Sequence, residues 1–211
     1  MSYHIYTTDG IILKRKNFGE SNSLFYVLTK DLGLVIVSAQ AVRSSASKLS
    51  PALQEFSLSS ISCVKGKNGW KMTNAIAKEN FYFNRPSFSQ RLVCQIAEVL
   101  VRMMPGEQAH PEIFSLVQSG FAHLSEVLAK PSDSSVARSD EVGFREKEIL
   151  DFECLLMLRI LYLLGYVDKN KQTEKFLLPI LEWNKSILME VSFVKPVLIE
   201  KINLGLKESH L

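Results

Sequence analysis

The sequence predicts an α+β protein in two domains: a five-stranded antiparallel barrel at residues 1–80, then an all-α domain at residues 84–211. Three observations carry this. Before residue 80, short β-branched runs alternate with turns containing Gly and Asn, the signature of a small antiparallel sheet. After Pro86 the apolar spacing lengthens to the three-and-four period of amphipathic helices. Charge divides near the same place: residues 1–83 hold 10 Lys and Arg against 5 Asp and Glu, and residues 84–211 hold 15 against 17. With 46% hydrophobic and 22% charged residues, the 211-residue chain has a globular balance, which excludes disorder as its main state.

The first strand is Gly10 to Lys16, where simple alternation puts Ile12, Lys14 and Lys16 on one face and Ile11, Leu13 and Arg15 on the other. Asn17-Phe18-Gly19-Glu20 turns the chain into a second strand, Ser23 to Thr29. Asp31-Leu32-Gly33 is a turn with glycine where positive φ costs little, and it leads to Leu34–Ala39, apolar on both faces. Phe56–Cys63 is a fourth strand whose alternation slips between Leu58 and Ile61, which predicts a β-bulge there. Lys65–Gly69 is a hairpin loop, and the fifth strand, Trp70–Ile76, carries Trp70, Met72 and Ile76 on one face. Closing five such strands into a barrel removes exposed edges, and the expected architecture is that of the oligonucleotide-binding (OB) type.

Beyond Pro86, Leu92, Ile96, Val99, Leu100 and Met103 form a helical stripe that Pro105-Gly106 ends. Pro111 opens a second helix with a stripe from Ile113 to Leu128. Residues 130–143, rich in serine, read as a mobile linker. The next helix, at about residues 144–165, is apolar nearly all round from Phe152 to Leu164 and so belongs at the centre of a bundle. Residues 166–190 give no clear pattern, and Val194–Leu206 reads as a short closing helix.

Enzyme chemistry has no support in this pattern. There is no glycine-rich phosphate loop, no GxSxG and no HExxH, and the histidines are scattered. Cys63, Cys94 and Cys154 lack the paired spacing of a zinc site and read as reduced thiols, so neither a metal nor another cofactor is expected. The N-terminal MSYHIYTTDG has neither the basic start nor the apolar core of a secretory signal, and the longest apolar run, Cys154–Leu164, is too short for a membrane span. A non-enzymatic cytoplasmic protein is therefore expected.

The stronger signal is cationic. Lys14, Arg15 and Lys16 end the first strand, Arg43 and Lys48 flank the loop after the third, and Lys65, Lys67 and Lys71 crowd the last hairpin. On a barrel of this type these eight would neutralise phosphates, while Phe18, Tyr26 or Trp70 could stack bases, although Tyr26 and Trp70 read more readily as core. Arg159, alone inside the greasiest helix, reads first as an arginine paired with a carboxylate such as Glu153. Its other reading is a cationic anchor beside a groove for an acidic peptide with an apolar end. Two rival functions share the same residues: an RNA-binding barrel, and an interaction adaptor whose basic face is only solvated.

In its order of blocks the chain resembles the bacterial DNA-repair family RecO. The resemblance rests on Thr8–Glu20, on Leu28-Thr29 through Gly33-Leu34, on Ala39–Arg43, on Leu53-Gln54-Glu55-Phe56, on Phe152-Glu153 through Leu164-Gly165-Tyr166, and on Leu204–Ser209. It implies a mediator of recombination that binds single-stranded DNA, with double-stranded DNA as a further ligand, and anneals complementary strands. It also implies contact with the acidic tail of the single-strand-binding protein, work with RecR, indirect action on RecA loading, and a place on the nucleoid. Two departures stand out. Gln40 and Ala41 replace the family's Lys and Gly, and residues 167–192 contain none of the cysteines that hold zinc in many members.

Overall fold

The computed structural model describes residues 4–83, 86–129 and 139–209. Packing divides the chain into two compact units, residues 1–85 with 93–114, and residues 86–92 with 115–211.

The first unit holds a closed barrel of β1 (Ile5–Phe18), β2 (Asn22–Thr29), β3 (Gly33–Ala39), β4 (Ser57–Gly66) and β5 (Gly69–Asn80), in the order β1-β2-β3-β5-β4. All neighbours are antiparallel except β3 and β5, which run parallel where Val37 meets Trp70 and Ser38 meets Lys71. This is the expected OB-type barrel. β1 is long enough to serve two partners: its first half pairs with β4 and its second half with β2. Ile12, Phe25, Val27, Val35, Val37, Ile61, Cys63, Trp70 and Met72 fill the interior, and Ala52 and Leu53 of a 3-10 turn at Ser50–Leu53 join them. At Gly10 a Cβ would lie 2.6 Å from Val27 Cγ1, so a glycine is needed for the strands to approach.

Three facial assignments differ from simple alternation. In β1 the register shifts between Ile12 and Lys14, so Ile12 faces Val27 inside while Lys14 faces Tyr26 outside. In β5 the shift between Ser62 and Cys63 leaves Thr73 unpaired, so Ala75 takes the inner position and Ile76 is 62% exposed. In β4 the expected irregularity appears against β5, where the register shifts between Leu58 and Ser59 and the extra residue is Lys78 of β5, while the pairing with β1 is even from Leu58 to Val64. Ser59 occupies the inner position, fully buried, and its hydroxyl donates to the Ala52 carbonyl at 2.6 Å. A satisfied buried serine has the look of a break in the pattern.

Ile11, Leu28 and Leu34 face outward opposite one another, yet all are buried. Residues 106–108 pack beside Gly33 and Leu34. The Leu34 amide donates to the Gly106 carbonyl at 2.9 Å, and Gly33, at φ +75°, lies so close to Gln108 that a Cβ would fall 2.1 Å from its carbonyl oxygen.

The helices are α1 (Ser87–Met103), α2 (Pro111–Ala129), α3 (Ser139–Leu163), α4 (Glu174–Leu177) and α5 (Lys185–Glu208). The expected linker at 130–143 is corrected in part: residues 139–143 already belong to α3, and residues 130–138 lie outside those described. Within the second unit, α3 is buried along most of Ile149–Leu161 and packs on α5, as a helix apolar all round should. α5 begins at Lys185, nine residues earlier than the sequence predicts. Asn184 caps it, accepting from the Ile187 amide at 2.8 Å, and Leu188, Val191, Leu198, Ile202 and Gly205 make one continuous buried stripe. Pro196 lies within the helix on its exposed side, where a proline is easily read as a boundary. The buried Asp151 carboxylate of α3 pairs with Lys195 of α5 at 2.9 Å. Among the described residues no helix is long and apolar enough to cross a membrane.

Candidate nucleic-acid interface

Residues directly opposite in a sheet share a face, so the register locates each strand cation. One outward row runs Lys14–Tyr26–Ile36 across β1, β2 and β3. The next runs Lys16–Leu24–Ser38–Lys71 and reaches β5. The inner neighbours of these residues, Phe25, Val35 and Val37, are core. The rows therefore form one outer surface over four strands, with lysines at its two margins and Tyr26, Leu24 and Ile36 between them. β2 and β3 contribute no charged side chain to it.

Two loops border this surface. The turn between β1 and β2 is tied to the segment after β3: the Arg43 amide donates to the Ser21 carbonyl at 3.0 Å, Arg43 Nη1 donates to the Gly19 carbonyl at 3.1 Å, and the Ala41 amide donates to Asn22 Oδ1 at 3.0 Å. These contacts fix Arg43 beside the end of β1, and Glu20 is the acidic residue of that turn. They also hold Ala41 at φ +49°, a left-handed conformation that strains an alanine. On the opposite flank, Trp70 lies against Val37, so the Lys67–Gly69 turn emerges next to Ile36.

The eight expected cations are not equivalent. Lys14, Lys16, Arg43, Lys48, Lys67 and Lys71 are exposed, and among the described residues none forms an ion pair. Lys48 lies in the exposed turn that leads to Ser50–Leu53. Arg15 faces the Phe25 side, and its Nε donates to Asn17 and Ser23 at 3.1 Å each. Lys65 pairs with Glu107 and lies over the Trp70 ring, and this lysine holds the Glu107 carboxyl below its usual range. Of the aromatic candidates, Trp70 is core, Tyr26 is half-buried on the outer row, and Phe18 is 41% exposed at the end of β1.

Arg159 departs from its expected pairing. It is fully buried and, among the described residues, forms no salt bridge, the Glu182 carboxylate acting on it only at longer range. Its Nε donates to the Phe176 carbonyl at 2.8 Å, and its Nη1 donates to those of Ile180 at 3.0 Å and Glu182 at 2.8 Å. The guanidinium also lies 4.6 Å from the Trp183 ring centroid. Burial lowers its pKa to about 10. This arginine pins the chain between α4 and α5 onto α3 and offers no surface to an incoming peptide. No pattern in residues 166–190 announced the carbonyls it binds.

Among the described residues no three His, Cys, Asp or Glu side chains converge as metal ligands. Cys63 and Cys154 are buried, and burial pushes both thiols up to about 11.

Residues 1–80 match the family model described as "Recombination protein O N terminal". The chain is 32% identical over 122 residues to the DNA repair protein RecO of Dehalococcoides mccartyi (strain 195), a stretch that is 57% of this chain and 48% of the relative. It is 26% identical over 139 residues to that of Gloeobacter violaceus, covering 65% of this chain and 52% of the relative. It is 27% identical over 165 residues to that of Heliobacterium modesticaldum, covering 77% and 52%. The chain spans about half the length of the curated relatives it matches.

Proposed function

We propose that this chain, whose residues 1–80 match the family model described as "Recombination protein O N terminal", acts in DNA repair and recombination by binding single-stranded DNA across the outer face of β1, β2, β3 and β5. The observation that carries the reading is the pair of outward rows, Lys14–Tyr26–Ile36 and Lys16–Leu24–Ser38–Lys71, bounded by Arg43 on one flank and Lys67 on the other. Cations outside any ion pair hold phosphates and give up no carboxylate partner when they do so. The half-buried tyrosine and the aliphatic side chains between them offer a surface on which bases of any sequence can rest.

Binding of this kind is electrostatic and indifferent to sequence along most of the strand. Two complementary strands held by such contacts would be brought together with their base edges free, which is what annealing requires. In the full role proposed for the chain, the helical unit meets protein partners: the acidic tail of the single-strand-binding protein, and RecR, with RecA loading as the outcome.

The test is the salt dependence of oligonucleotide binding. Each phosphate neutralised on a single strand contributes about −0.7 to the slope of log K against log salt, so six engaged cations give about −4. Lys14→Ala with Arg43→Ala should flatten the slope by about 1.4 and weaken binding to all sequences alike. An unchanged slope in that double variant places the strand elsewhere.

A further inference from the structure

The outer row does not stop at Lys14. On the far side of that residue lies a cavity of about 220 Å³ between β1 and α1, within the first compact unit. Its walls are apolar where Leu13, Phe56, Ala97 and Val101 contribute, and polar where Lys14, Glu55, Glu98 and Arg102 do. Drug-sized ligands occupy pockets of about 300–1,000 Å³, so this one suits a single small ring system. Glu55 Oε1 accepts from the Arg15 amide at 2.7 Å, which fixes its direction, and neither glutamate forms a salt bridge among the described residues. Cys94 forms part of the wall and is the one partly exposed cysteine of the three.

A flat ring with apolar faces, N–H donors on one edge and a phosphate on its tether would meet all of these groups at once. We propose that this cavity receives one unstacked base of a bound strand, with Glu55 and Glu98 accepting hydrogen bonds from an amino-bearing edge and Lys14 and Arg102 holding the flanking phosphates. Guanine fits best, because its ring N–H and amino group present adjacent donors to a carboxylate, whereas thymine carries a single ring N–H and no amino group. The proposal rests on the reading of the barrel as a single-strand surface and adds to it a position with base preference. It gives an otherwise sequence-neutral binder a point at which the strand is held out of the stack.

The experiment compares a thymidine 15-mer with the same strand carrying one central guanine, using the full chain. Affinity and the rate of Cys94 alkylation by iodoacetamide are read together. The guanine strand should bind about fivefold tighter, the low end for a carboxylate-to-base contact, and should slow alkylation of Cys94 severalfold, while the thymidine strand binds without protecting the thiol. Glu98→Gln and Glu55→Gln should each bring the affinity ratio towards one. If both strands bind equally and leave Cys94 equally reactive, the cavity holds no base and the barrel remains a DNA surface. If neither strand binds, the underlying reading falls and the cavity proposal falls with it. Protection by free deoxyguanosine monophosphate as strong as that by the strand would make this a free-nucleotide site and overturn the proposal as well.

Discussion

Removing Arg159 tests how the helical unit is held together. Its guanidinium makes three hydrogen bonds, to the carbonyls of Phe176, Ile180 and Glu182, and lies over Trp183. A lysine keeps the charge and the stem but carries one compact ammonium, which cannot serve carbonyls spread from residue 176 to residue 182. Losing two buried charge-assisted bonds at about 1.5 kcal/mol each predicts a cost of about 3 kcal/mol for Arg159→Lys. Arg159→Met leaves all three carbonyls without this donor and removes the cation from the ring face, for about 5 kcal/mol. The assay is urea unfolding followed by Trp183 emission in a Trp70→Phe background, so that only the helical unit reports. A loss below about 1 kcal/mol in both variants would refute the reasoning, because it would mean that water or other donors satisfy those carbonyls at little cost.

Ala41→Gly should stabilise the barrel by about 1 kcal/mol, since glycine adopts φ +49° without the strain an alanine carries; thermal unfolding checks it, and a lower melting temperature contradicts it. Gly33→Ala should have the opposite sign and greater size, because the added Cβ would meet the Gln108 carbonyl; a melting temperature within a degree of the parent would count against the packing described. At neutral pH iodoacetamide should modify Cys94 and spare Cys63 and Cys154 in the folded protein, as peptide mass analysis would show. The two buried thiols hold their protons up to about pH 11, while in the unfolded chain they ionise near 9. The folded state then binds more protons across that interval, so stability should fall from pH 9 to 11, and Cys63→Ala with Cys154→Ala should blunt the fall.

Much of the barrel was legible because turns and β-branched runs are local signals. Gly33 at a left-handed turn and the closely placed Gly66 and Gly69 of the last hairpin needed no tertiary information. Facing was less legible. A single bulge near Leu13 moves Lys14 from the side of Ile12 to the side of Tyr26, and alternation alone has no means of locating it. That shift bears directly on the site, since it lines Lys14 up with Tyr26 and Ile36 and turns Arg15 towards Phe25. The cations themselves were visible in the sequence, but the engagement of Arg15, Arg43 and Lys65 by other parts of the fold was not. Glu107 is more than forty residues from Lys65, and only the fold brings them together. In the helical unit, the first nine residues of α5 went unread, and the three carbonyls that hold Arg159 are backbone atoms, which a side-chain pattern never displays.

Photo-cross-linking reads the path of the strand most directly. An oligonucleotide bearing 5-iododeoxyuridine at successive positions is bound at low salt, irradiated, and the linked peptides are identified by mass spectrometry. The account predicts adducts at Tyr26 and Phe18, in the peptides that also carry Lys14, Lys16 and Arg43. Adducts confined to residues 115–209, with the barrel peptides unmodified, would contradict it.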